Sequence, residues 1–116
     1  MSRVHTVIET VPVGGVRPDD AAFVERERAE LAGRPPGTAA GFLALKKALA
    51  ALAARMTGRP APDLCGFVLS HDPQGAPVVA AWPEGLALNP GRFHVSIAHS
   101  RSTACGAAVY REGGDD

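Results

Sequence analysis

Apolar positions recur along this chain with two different periods, and the switch between them marks its elements. In the stretch Ala39 to Met56, Phe42, Leu45, Leu49, Leu52 and Met56 fall at steps of three and four. This is the stripe of an amphipathic helix that lies on a sheet. Thr38 is its expected cap, and Thr57-Gly58 followed by Pro60 its expected stop. Lys46 borders the stripe and Lys47 points nearly opposite it. A second, shorter helix is expected from Ala21 to Ala32, capped by Asp19 or Asp20 and ended by Gly33 and Pro35-Pro36.

Elsewhere the period is two. Val4 to Val13 is rich in β-branched residues, with His5, Val7, Glu9, Val11 and Val13 on one face. Leu64 to Ser70 and Ala76 to Trp82 read as strands joined by the turn-forming HDPQG. Phe93 to Ala98 and Ala104 to Tyr110 flank a polar corner at His99, Ser100, Arg101 and Ser102, as in a hairpin. In the first of these runs Phe93, Val95 and Ile97 alternate with His94, Ser96 and Ala98. The second is nearly all small (Ala104, Cys105, Gly106, Ala107, Ala108), which lets another backbone approach closely. The fold class that follows is α+β, an antiparallel sheet packed against one long helix. Residues 1–3 and 112–116 are expected to fray at its ends.

Composition narrows the function classes. A chain of 116 residues, 46% apolar and 21% charged, suits a single globular domain spanning residues 1–116. Its net charge of zero gives no global attraction to nucleic acid or to a membrane surface. Neither a basic-then-apolar leader nor a run approaching eighteen apolar residues is present, so a cytoplasmic location is expected. Cys65 and Cys105 lack metal-ligand spacing and read as reduced core residues.

Three features carry candidate chemistry. Glu9 stands among apolar neighbours on its strand face. His99 ends a half-buried strand, where an imidazole can serve as general acid or base. Ser96 shares its face with His94, but no signal sets a base beside it. The segment Phe23 to Leu31 (FVERERAEL) reads as a solvated helix whose Glu and Arg residues pair with one another, and His71 as a solvated turn residue.

These segments, in this order, resemble the holo-acyl-carrier-protein synthases, the small 4'-phosphopantetheinyl transferases. HVSIAHS followed by A-x-A-V-Y is similar to that family's C-terminal signature. VIETV is similar to its opening strand, with Glu9 on the aspartate. FVERE is similar to its F-T-x-x-E segment, with Glu27 on the glutamate, and LALKKALAAL to its K-E-A helix. DPQGAP is similar to its D-x-x-G-x-P hairpin. The resemblance implies the family's fold, coenzyme A as cofactor, a carboxylate-held magnesium ion, an acyl carrier protein as partner, and a homotrimer with sites between subunits. It also implies roles for residues: Lys46, Ser96 and His99 toward the cofactor, Glu9 toward the metal, and His99 with Glu9 in catalysis, where Lys47 is the third candidate.

Departures from the pattern fall on functional positions. Lys47 occupies the place of the principal magnesium-ligating glutamate, Ala51 that of the motif's second lysine, and Ala76 a basic position of the hairpin. Moving phosphopantetheine requires neutralising a pyrophosphate, for which a divalent ion held by carboxylates is suited. A lysine at one ligand position opposes that ion, although its ammonium at Lys47 could stand in as a fixed cation. Three expectations follow. One is a divergent member of fatty-acid or polyketide carrier-protein biosynthesis, degenerate for magnesium and coenzyme A transfer and acting on a carrier-tethered intermediate. The second is an active synthase, and the third a non-catalytic scaffold subunit.

Overall fold

The computed structural model describes residues 3–113. Five strands and two α-helices occur in the order β1 (Arg3–Pro12), α1 (Glu25–Leu31), α2 (Pro36–Thr57), β2 (Val68–His71), β3 (Pro77–Ala81), β4 (Phe93–His99) and β5 (Thr103–Glu112). The strands form an antiparallel three-stranded sheet in the order β1-β5-β4 and a separate β2-β3 hairpin. The expected α+β arrangement is the observed one, with the terminal hairpin supplying the centre of the main sheet.

Two helix starts differ from the sequence reading. The long helix begins at Pro36, not Ala39, because a proline at the first helical position loses only an amide that has no intrahelical partner. Thr38 therefore lies inside the first turn, where it caps nothing. Gly58 closes the helix in the left-handed conformation (φ 69°), as expected. The short helix starts four residues late, at Glu25. Asp20 instead binds the amides of Ala22 and Phe23 in a turn, and Val24 remains extended. The sheet ends are firmer than expected: Arg3 pairs with Glu112, whose carboxylate also meets His5 Nε2 at 2.9 Å. The rest of the expected frayed ends, residues 1–2 and 114–116, lies outside the described residues.

Odd residues of β1 and β4 and even residues of β5 face α2, as their alternating burial shows. The helix settles almost onto the backbone of β5. A Cβ built on Gly106 would lie 2.3 Å from the Leu45 nitrogen, and one on Gly37 would lie 2.5 Å from His99 Nδ1. Phe42, Leu45, Leu49 and Leu52 are fully buried along the expected stripe, whereas Met56 is only partly covered. By length and apolar composition α2 could cross a membrane, but 72% of its most apolar window is buried in this fold. Cys65 and Cys105 are free and half-buried, outside the core proper.

Among the described residues the opposite face of the sheet is open to solvent. Val4 and Ile8 are 62% and 60% exposed there, beside His94, Ser96 and Ala98 of β4.

Candidate functional site

The helix divides the expected site residues into three groups. On the β1 flank, Glu9 lies opposite Gly106 in the register and is half-buried. Lys47 projects on the same flank: it stands seven residues after Ala40, which packs with Val11 and Val13, and so lies on nearly the same helical bearing. It is exposed, and neither it nor Glu9 takes part in an ion pair among the described residues.

On the β4 flank, His99 lies against Gly37 at the start of α2. Glu9 and His99 are two strands and two residues apart, about 12 Å from strand spacing and rise. The body of α2 runs between them. Within one chain they do not meet a common atom.

Lys46 and Glu27 form the third group, and here the expectation of cofactor contact gives way. Both side chains are fully buried and hydrogen-bonded to each other. Glu27 Oε1 also accepts the Val24 amide (3.0 Å), and Oε2 accepts the Leu69 amide (2.8 Å). The Lys46 ammonium sits 5.4 Å from the centre of the Phe23 ring. Burying charges is tolerated when each lone pair is met, and this carboxylate ties α1 to both α2 and β2. Lys46 is thus engaged inside the protein, with no face left for a phosphate. Glu27 has no face left for a metal.

Ser96 is exposed on the open side of the sheet, away from both Lys46 and His99. The expected cofactor set of Lys46, Ser96 and His99 is therefore dispersed over core, outer face and inner flank. Of the catalytic set, Glu9 and Lys47 share a flank and His99 stands apart. As a magnesium site the β1 flank is poor, offering one carboxylate on the side where an ammonium also projects. Among the described residues no group of three or more His, Cys, Asp or Glu side chains is placed to hold a metal.

A residue read as solvated proves to be placed. His71 ends β2 with its side chain only 15% exposed, its ring stacked on Phe42 at 5.0 Å between centroids. Its Nδ1 lies 3.3 Å from Glu30 Oε2. Glu30 Oε1 accepts from the Ser70 hydroxyl at 3.0 Å. Together with His99, Thr38, Phe42, Gly75, Pro77 and Ile97, His71 lines a cleft of about 160 Å³. A larger groove of about 330 Å³ between β3 and β4 is walled by Trp82, Phe93 and valines, with His94 as its one titratable group.

No family model matches the sequence, and no curated protein matches it. Solved structures do. The apo form of ACPS from Chronobacterium ammoniagenes superposes with a TM-score of 0.76 at 17% identity, over 98% of this chain and 100% of that one. The ACPS–CoA complex from that organism gives 0.74 at 18% identity, over 97% and 99%. A holo-(acyl-carrier-protein) synthase from Bacillus anthracis in complex with CoA (3',5'-ADP) gives 0.61 at 17%, over 93% and 96%. The fold is that of the holo-acyl-carrier-protein synthases. Its helix-on-sheet frame extends over nearly the whole chain at low identity.

Proposed function

We propose that this chain works in carrier-protein biosynthesis, of fatty acids or polyketides, by acting on an intermediate tethered to a phosphopantetheine arm and not by transferring the arm from coenzyme A. One observation carries the reading: the flank that would hold magnesium presents Glu9 with Lys47, and Glu27, the nearest alternative ligand in sequence terms, is enclosed with Lys46. A lone half-buried carboxylate beside a cation is a weak magnesium site, because the ammonium repels the ion that the carboxylate attracts. The likeness to structures described as CoA complexes supports a cleft for the phosphopantetheine arm on this chain. The same likeness supports an acyl carrier protein as partner. In this reading the protein acts in the cytoplasm, without nucleic-acid or membrane contact.

Incubation with coenzyme A, an apo-carrier protein and magnesium is expected to leave the carrier's intact mass unchanged, beside a positive-control synthase. A gain equal to the phosphopantetheine arm, lost on adding chelator, would overturn the reading in favour of an active synthase. Lys47→Glu restores a second carboxylate on the β1 flank. Titration of that variant with magnesium is expected to give a binding isotherm where the parent gives none.

Assembly is part of the reading. Glu9 and His99 stand on opposite flanks of α2, so a shared site would need a second copy. The open sheet face with Val4 and Ile8 offers the apolar surface for a homotrimer. Ile8→Glu places a charge in that face. Sedimentation should show the parent as an oligomer and the variant shifted toward monomer; a monomeric parent would remove the trimer from the proposal.

A further inference from the structure

The cleft on the β4 flank joins His99 to two residues, Glu30 and His71, that the resemblance does not assign. Glu30 Oε2 and His71 Nδ1 are both sealed from solvent and lie 3.3 Å apart, within ion-pair distance, yet neither makes a hydrogen bond among the described residues. Two buried polar atoms without hydrogen bonds are costly, and such a pair kept side by side at the edge of a cleft calls for a functional reason. With Nδ1 placed against the carboxylate, Nε2 is the nitrogen left for the cleft that His71 lines. A carboxylate fixing one imidazole nitrogen so that the other can take a proton is a recurrent device for proton transfer. The Phe42 ring holds the imidazole plane from below.

His99 reaches the cleft from a different strand, its ring against the Gly37 backbone. Among the described residues Glu30 from α1 is the one charged group paired with His71, and no charged residue other than the two histidines lines the cleft. Between the imidazoles the lining is Phe42, Pro77 and Ile97, with the Thr38 hydroxyl at the side. Neither serine nor cysteine lines the space, where Thr38 supplies the side-chain hydroxyl. A volume of about 160 Å³ is roughly the liquid share of five waters, the size of a short acyl chain.

We infer that Glu30, His71 and His99 form an acid–base site that removes a proton from the carbon beside the carbonyl of a short 3-hydroxyacyl thioester. The inference rests on the carrier-tethered reading above for its thioester and on the cleft for its chemistry. His71 Nε2 takes the C2 proton, and the C–H electron pair forms the C2–C3 double bond as the C3–O bond breaks. The leaving hydroxyl takes a proton from protonated His99 and departs as water. His71 then releases its proton and His99 regains one from solvent, so the step consumes no oxidant, reductant or metal. Glu30 is a positioning residue that acts through His71.

The test uses 3-hydroxybutyryl-pantetheine in D2O, followed by proton NMR with and without the full-length protein. Protein-dependent deuterium incorporation at C2, or formation of the unsaturated thioester, is expected. His71→Gln should lower that rate at least about 100-fold, the scale of general acid–base catalysis. Glu30→Gln should lower kcat about tenfold with KM unchanged, a split that a merely structural role would not give. Circular dichroism checks the fold of each variant, and His99→Gln replaces His71→Gln if the latter fails to fold. Absence of protein-dependent exchange, equal rates in parent and His71→Gln, or activity abolished by chelator would overturn the site. Saturation-transfer NMR on the same samples separates two failures. Thioester binding without exchange overturns the acid–base site alone, whereas absence of binding overturns the carrier-tethered reading with it.

Discussion

Lys46→Met is expected to destabilise the protein by about 3–5 kcal/mol, the range for removing one partner of a buried ion pair. The remaining Glu27 carboxylate would keep the Val24 and Leu69 amides but lose its counter-charge in a fully buried setting. Glu27→Gln leaves the ammonium equally uncompensated, over the Phe23 ring, and should cost a similar amount. The double variant Glu27→Leu/Lys46→Met removes both charges. It should recover much of the loss, although the Val24 and Leu69 amides then lack their acceptor. Thermal melts followed by circular dichroism read the result. A midpoint drop of roughly 10–20 °C is expected for Lys46→Met in a chain of this size. A drop of only a degree or two would show that Lys46 escapes to solvent, and would reopen it as a phosphate ligand.

The second large effect is expected at Gly106. Alanine there must displace the Leu45 backbone, which a new Cβ would approach to 2.3 Å, and helix backbone cannot yield as a flexible side chain does. Overpacking costs typically about 1–3 kcal/mol, and the upper end is expected because the whole of α2 must lift from β5. Gly106→Ala should therefore melt lower than the parent and expose α2 amides to exchange. Gly14→Ala, with nothing within 4 Å of its Cβ position, is the control expected to leave the melt unchanged. Equal melts for the two would show that the helix is not seated on the sheet as described.

The frame of this fold was legible because its signals are local. The spacing of Phe42, Leu45, Leu49 and Leu52 needs only one helix to be recognised, and the alternation in Phe93 to Ile97 only one strand. The environment of Lys46 was not legible in the same way. Its bearing at the stripe's border was correct, but whether that border is covered depends on α1, a partner nineteen residues away. A signal was nonetheless present: Phe23 and Leu31 stand four residues to either side of Glu27, so its face was apolar and its charge needed a buried partner. Ser96 likewise could have been separated from His99, since residues three apart on a strand point to opposite faces. Glu30 and His71 meet across 41 residues, through a packing of α1 on the β2-β3 hairpin that no periodicity announces.

The passage of α2 between Glu9 and His99 has a consequence for how the two flanks can vary. In a single chain, substitutions at Lys47 and at His71 touch no common neighbour and act on separate spaces, so their effects should combine as independent sums. Lineages carrying this frame can accordingly rework one flank while the other stays as it was. An assembly that sets one copy's β1 flank against another's β4 flank ends that independence, because each change then alters the surface its counterpart must meet.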